Sequence, residues 1–123
     1  MHQENNYPAW KPPSDLDIGL EDGAGDSTYL AQLERHLPEI VRRHAPELAL
    51  YLAGADPYRG DQLGGLELTL EGLRRRDEFV FDTLRRAGVP VAVVLAGGYA
   101  AQSEDTIAIH CATVCALLAS RRA

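Results

Sequence analysis

The sequence predicts an α/β fold, a parallel sheet with flanking helices, and three observations predict it. Leu48-Ala49-Leu50-Tyr51-Leu52-Ala53 and Val91-Ala92-Val93-Val94-Leu95 are short apolar runs without polar alternation, as in parallel strands buried on both faces. Segments with helical spacing precede, separate and follow them, giving a β-α-β-α-β-α order that calls for right-handed crossovers. Both runs end in glycine turns, Gly54-Ala55-Asp56 and Gly97-Gly98-Tyr99. In open parallel sheets, ligands bind outside the carboxyl ends of the strands, so Asp56 and Tyr99 are expected at one functional edge.

Taken in order, residues 1–14 read as an extended loop, because Pro8, Pro12 and Pro13 remove backbone donors. Tyr7 and Trp10 stand in it as candidate contact residues for something outside the segment. Leu16, Ile18 and Leu20 alternate with Asp15, Asp17 and Gly19, which predicts a short first strand of the same sheet. The acidic turn 21–26 lacks the donor spacing and closing glutamate of an EF-hand loop, so capping and solvation are its expected roles. Asp26 or Ser27 is expected to cap a helix with Leu30, Leu33, Leu37, Ile40 and Val41 as its apolar stripe. Pro38 predicts a kink or a restart within it, and Arg42, Arg43 and His44 suit its negative end.

After Asp56, Gly60, Gly64 and Gly65 make a tight loop, in which Asp61 is read as a structural brace. Thr69 starts a second helix that turns Leu70, Leu73, Val80, Phe81 and Leu84 toward the sheet and stops at Gly88. Ser103-Glu104-Asp105 caps a third, with Ile107, Cys111, Val114, Cys115 and Leu118 expected inward.

The chain has 123 residues and a formal net charge of −6, with a pI near 5.1. That balance argues against a nucleic-acid or anionic-membrane surface, either of which needs clustered positive charge. Arg74-Arg75-Arg76 is the densest basic run and reads as a solvated helix face. No apolar run approaches the roughly 20 residues of a spanning helix. Cys111 and Cys115 share one side of a helix at a spacing unfavourable for a disulfide, so buried thiols are expected, and with neither a basic-then-apolar leader nor a spanning run in the sequence a reducing, cytoplasmic setting is the default expectation. A metal site of His110 with the two cysteines is disfavoured, since His110 points elsewhere and no fourth ligand is near.

A carboxylate after a strand also serves as a cap or turn residue, and Gly-Gly-Tyr also makes a plain turn. Spacing alone leaves both readings open. The combination is more specific. Ala53-Gly54-Ala55-Asp56, Arg59-Gly60-Asp61-Gln62-Leu63-Gly64-Gly65-Leu66, Leu68-Thr69-Leu70-Glu71-Gly72, Arg76-Asp77 and Gly97-Gly98-Tyr99 resemble, in order and spacing, the C-terminal part of the zinc-dependent histone deacetylase family. Upstream, Asn6-Tyr7-Pro8, Lys11, Ser14-Asp15-Leu16-Asp17-Ile18 and Asp26-Ser27-Thr28-Tyr29-Leu30 are similar to its class IV branch and bacterial relatives.

The resemblance implies a partial arginase-deacetylase-type three-layer fold, with residues 1–123 forming one partial domain. It implies that Asp56 is a zinc ligand, that Tyr99 hydrogen-bonds the oxyanion formed from the acyl carbonyl, and that Gly98 lines the acyl chain. The family's other two zinc ligands come from an Asp-x-His element, and a His-His pair accompanies them. Neither occurs here, where the histidines are His2, His36, His44 and His110. His2 matches a histidine that lies just after the family's metal-binding strand. The expectation is therefore a C-terminal portion of a deacetylase acting on acylated lysine or a related amine, with an incomplete zinc site and no activity alone. Such a piece exposes a sheet edge and apolar surface, favouring self-association or pairing with an N-terminal half. The alternative is a non-catalytic α/β module that binds a protein partner through that edge.

Overall fold

The computed structural model describes residues 1–121. The two apolar runs form β3 (Ala49–Gly54) and β4 (Val91–Ala96), which pair in parallel with Ala49 opposite Val91 and Gly54 opposite Ala96. Helix α2 (Leu70–Arg86) makes the crossover between them, and α3 (Ser103–Ser120) follows β4. The expected first strand is not part of this sheet. Only Gly19–Leu20 is extended there, as β2, and it pairs in parallel with β1 (His2–Gln3), from a segment expected to be loop throughout. Two separate two-stranded sheets thus replace the expected single three-stranded one.

Helix α1 (Asp26–His44) runs unbroken through Pro38. Its N-cap is Gly25, not Asp26 or Ser27. Asp26 instead reaches across to the start of α2, where its oxygens accept the Thr69 backbone N–H at 2.8 Å and the Thr69 hydroxyl at 2.6 Å. Thr69 in turn caps α2, its hydroxyl accepting the N–H of Gly72 at 2.9 Å. A single carboxylate therefore ties the beginnings of α1 and α2 together while satisfying orphan donors at a helix start.

Two apolar clusters hold the elements. One gathers Leu20, Tyr29, Ala55, Tyr58, Leu66, Leu68, Leu73 and Ile109 beneath the loop that follows β3. The other joins Val41 of α1 to Val80 and Leu84 of α2, with Ala49, Tyr51 and Val91 packed against them. Helix α2 turns its 73, 76, 77, 80, 81, 84 stripe inward, and Leu70, expected there, is exposed.

That stripe contains Arg76 and Asp77, both buried. The solvated reading of the arginine run holds for Arg74 and Arg75 and fails for Arg76, because helical period brings it onto the Leu73 side. Arg76 Nε donates to Asp77 Oδ1 at 2.9 Å, and that oxygen also accepts the Tyr51 hydroxyl at 2.5 Å. Asp77 Oδ2 accepts the Thr113 hydroxyl of α3 at 2.6 Å. The guanidinium lies 5.9 Å from the centre of the Tyr51 ring, and Phe81 meets that ring edge-on. Burial raises the Tyr51 phenol well above its ordinary value; Arg76 pulls the other way, and the Asp77 carboxylate adds to the rise.

Helix α3 presents a different face from the one expected. Ile109, Thr113 and Ala116 are buried, whereas Ile107, Cys111, Val114, Cys115 and Leu118 are exposed. The two thiols are therefore not buried. On the sheet, Leu50 and Leu52 are 69% and 66% exposed, alternating with residues of the inner cluster. Among the described residues no helix is long and apolar enough to cross a membrane.

Candidate functional site

The register of β3 and β4 carries Asp56 and Tyr99 out at the same, carboxyl, edge of neighbouring strands. The parallel pairing continues one step beyond the strands, where the Ala55 N–H donates to the Ala96 carbonyl at 2.9 Å. From there the two turns converge. Gly97 has φ +60, and a methyl group on it would come within 2.6 Å of Asp56 Oδ1. Gly98 has φ +106, and its own methyl position is blocked by Thr106 Cγ2 at 2.7 Å and Ala55 Cβ at 3.0 Å. Both positions lie where L side chains are strained, so the close approach of the second turn to the Asp56 carboxylate requires glycine.

The Asp56 side chain is exposed at this edge. It borders a cleft of about 320 Å³ whose other walls include Asn6, Tyr7, Lys11, Asp17 and Tyr29. The N-terminal segment reaches that cleft as an ordered loop. Lys11 Nζ donates to the carbonyls of Glu4, Asn6 and Pro8 at 2.9–3.1 Å, wrapping residues 4–11 around one ammonium. Asn6 Nδ2 donates to the Leu63 carbonyl at 2.9 Å, and Gln3 Oε1 accepts the Gly65 N–H at 2.8 Å. Trp10 and Tyr7 project from it, 74% and 93% exposed.

The Tyr99 ring is 60% exposed, while its backbone is held on both sides. The Asp61 carboxylate accepts the Tyr99 N–H at 2.6 Å, and the Tyr99 carbonyl accepts the Gln62 backbone N–H at 3.0 Å and Gln62 Nε2 at 3.1 Å. Asp61 also braces its own loop, as the sequence led us to expect, accepting the N–H groups of Leu63 and Gly64 at 2.8 Å. Its link to Tyr99 had no sequence signal, since the two are 38 positions apart.

Arg76 supports the same edge from beneath. Its Nη1 donates to the Gly54 carbonyl at 2.6 Å, fixing the last peptide of β3 two residues before Asp56.

The donors present do not by themselves make a zinc centre. Among the described residues no three His, Cys, Asp or Glu side chains stand together closely enough to hold a metal ion. Both Asp61 oxygens are engaged by amides, so Asp61 adds no free donor beside Asp56, where catalytic zinc takes three protein ligands and water.

Parallel strands joined through a helix, with glycine turns converging on an acidic residue and a tyrosine, define a part of the arginase-deacetylase fold. A solved structure of acetylpolyamine aminohydrolase from Burkholderia pseudomallei superposes on 94% of this chain and 35% of its own, with a TM-score of 0.78 and 24% identity. Residues 1–115 match the sequence model of the Histone deacetylase domain, and the chain belongs to that family. It is 44% identical over 110 residues to an uncharacterized protein of Picosynechococcus sp., covering 89% of this chain and 37% of that protein. With Histone deacetylase 2 of Arabidopsis thaliana the identity is 35% over 94 residues, or 76% of this chain and 24% of the relative. The chain thus spans little more than a third of the length of these relatives, or less.

Proposed function

We propose that this chain is the C-terminal portion of a zinc-dependent deacetylase, an amide hydrolase that removes acetyl or other acyl groups from lysine or a related amine. In this reading Asp56 is one metal ligand, Tyr99 donates its phenolic hydrogen bond to the oxyanion of the acyl carbonyl, and Gly98 lines the path of the acyl chain. Residues 1–123 are one partial domain, inactive alone, and the remaining ligands and the general base come from an N-terminal half. A reducing, cytoplasmic setting belongs to the same reading.

The observation that carries it is the contact between Gly97 and the Asp56 carboxylate, with Tyr99 two residues further on. In this reading the substrate carbonyl would sit at the metal that Asp56 helps to hold, beside the 97–98 turn, which glycine allows to pack closely against Asp56, Ala55 and Thr106. The Tyr99 ring is exposed, and the hydrogen bonds on its backbone N–H and carbonyl hold the turn from which it projects, one part of the preorganisation an oxyanion donor needs.

The test is complementation. The chain alone is expected to lose zinc on dialysis and to leave an acetyl-lysine peptide intact. Addition of the N-terminal segment of a family member, tethered or in trans, is expected to restore metal retention and hydrolysis together. Restoration of neither, in a complex that demonstrably forms, would sink the proposal.

A second reading is supported by the bare apolar residues Leu50, Leu52, Val94 and Leu95. A non-catalytic module would use them to bind a protein partner, and its partner affinity would be independent of zinc.

A further inference from the structure

We propose that Asp61 is a positioning residue for Tyr99, setting where the tyrosine stands by bridging its backbone to the turn that backs Asp56. The inference rests on the deacetylase reading above, in which Tyr99 is the oxyanion donor.

The two oxygens of Asp61 serve different segments. Oδ1 accepts the N–H groups of Leu63 and Gly64, both at 2.8 Å, and Oδ2 accepts the N–H of Tyr99 at 2.6 Å. The 63–64 turn lies against the other site residue, since a methyl group on Gly64 would come within 2.6 Å of the Asp56 carbonyl oxygen. One carboxylate therefore spans from the backbone behind Asp56 to the backbone of Tyr99. Its neighbour Gln62 adds a second tie, giving both its main-chain N–H and its Nε2 to the Tyr99 carbonyl. The Ala101 N–H closes the far side on the Gly60 carbonyl at 3.0 Å.

The tie matters because of what precedes Tyr99. Two consecutive glycines at positive φ admit many backbone conformations, so the 97–98 turn does not by itself fix the direction of the next residue. The ring is exposed and gains little from packing. The 60–64 loop supplies the missing constraint through charge-assisted hydrogen bonds, which are stronger than neutral ones. An oxyanion donor is effective only when it is already in place, so loosening this tie acts on turnover through Tyr99.

Asp61→Asn is the informative variant. Three N–H groups converge on two oxygens, and an asparagine offers one oxygen and one NH₂, so whichever way the amide turns it faces at least one N–H with a donor. In the chain itself, amide exchange at Tyr99, or at Leu63 and Gly64, is expected to rise by about tenfold or more, with protection in the strands unchanged. In the complemented protein, Asp61→Asn is expected to lower kcat by about tenfold or more in the parent and by less than about twofold in the Tyr99→Phe background. Gln62→Ala, at an exposed position that poses little risk to folding, is expected to give a smaller loss that also vanishes in Tyr99→Phe. Equal losses in both backgrounds would mean that Asp61 only stabilises the loop, and would overturn the proposal. Unchanged amide exchange at all three sites would overturn it independently of any activity. If Tyr99→Phe alone had no effect, the oxyanion reading would fall, while the exchange result would still decide the positioning role.

Discussion

Gly97 and Asp56 are in a contact that no side chain at position 97 can share: a methyl group there would stand 2.6 Å from Asp56 Oδ1. With φ at +60 the position already costs an L residue about 1–2 kcal/mol. Gly97→Ala therefore has two effects, a strained turn and a displaced carboxylate. In the complemented protein we expect zinc retention to fall by about tenfold or more, a ligand being moved rather than removed. Metal analysis after dialysis checks this, and full occupancy would show that the Asp56 carboxylate is not held by the 97–98 turn.

Asp77 is the hub of the buried network, accepting from Arg76, Tyr51 and Thr113 on three different elements. Removing it leaves the Arg76 guanidinium, 3% exposed, without its ion-pair partner. Breaking a buried pair in this way costs about 3–5 kcal/mol, a large share of the stability of a domain this size. Asp77→Ala should accordingly abolish or strongly shift the thermal transition, whereas Arg74→Ala, on the exposed face of the same helix, should shift it little. Equal shifts for the two variants would contradict the network's importance.

The sequence showed the edge of the site better than its support. Strands β3 and β4 were legible because each is a short apolar run bounded by turn residues, and Asp56 and Tyr99 follow directly from where those runs end. The buried Arg76-Asp77 pair was hidden by its charge, although positions 73, 76, 77, 80, 81 and 84 form one helical stripe and so place it inside. Helix α3 misled for the opposite reason. It is apolar nearly all round, so periodicity did not select a face, and the face chosen by the fold is the one whose Thr113 hydroxyl meets Asp77. The pairing of His2–Gln3 with Gly19–Leu20 is too short for any pattern of alternation to register.

Stability at high pH has a definite sign. The Tyr51 phenol, raised by burial and then by the neighbouring Asp77 despite Arg76, stays protonated in the folded chain after the unfolded chain has begun to ionise at its ordinary value of 10.0. The unfolded state then binds fewer protons than the native one, so stability is fully present below pH 10.0 and declines as the pH rises beyond it. Thermal melts from pH 8 to 11 should fall at the upper end, by roughly 1 kcal/mol for each pH unit spent between the two values. A Tyr51→Phe variant, less stable at neutral pH for loss of its hydrogen bond to Asp77, should show a shallower alkaline decline. An identical slope in the two proteins would assign the decline to other groups.

The exposed apolar residues of β3, β4 and α3 give a prediction about solution behaviour. Leu50, Leu52, Val94, Ile107, Val114 and Leu118 all lie at the surface, with Leu52 and Val94 paired on neighbouring strands. The chain alone is expected to self-associate at micromolar concentration and to melt broadly, and binding of an N-terminal half should suppress both. Sedimentation velocity would show this directly. A monodisperse monomer with a sharp transition would count against the proposal that another segment covers these faces.

The last prediction separates the two roles assigned to the carboxyl edge. Asp56 and Tyr99 emerge from neighbouring strands, so a general disturbance of the edge would impair both, and only substitutions with different signatures can tell metal holding from oxyanion stabilisation. Asp56→Ala removes the carboxylate without touching the ties on the Tyr99 backbone, which run through Asp61 and Gln62. In the complemented protein it should therefore abolish zinc retention. Tyr99→Phe removes only a hydroxyl from an exposed ring whose backbone contacts are unaffected, so zinc should stay bound. Turnover should then drop by roughly 100-fold or more, the size expected when one preorganised oxyanion donor is lost, with little change in KM because the bond forms in the transition state. Zinc content and kcat measured on the same preparations give a crossed pattern if the assignment is right. Full zinc occupancy in Asp56→Ala, or undiminished kcat in Tyr99→Phe, would refute the corresponding role while leaving the fold and the family unchanged.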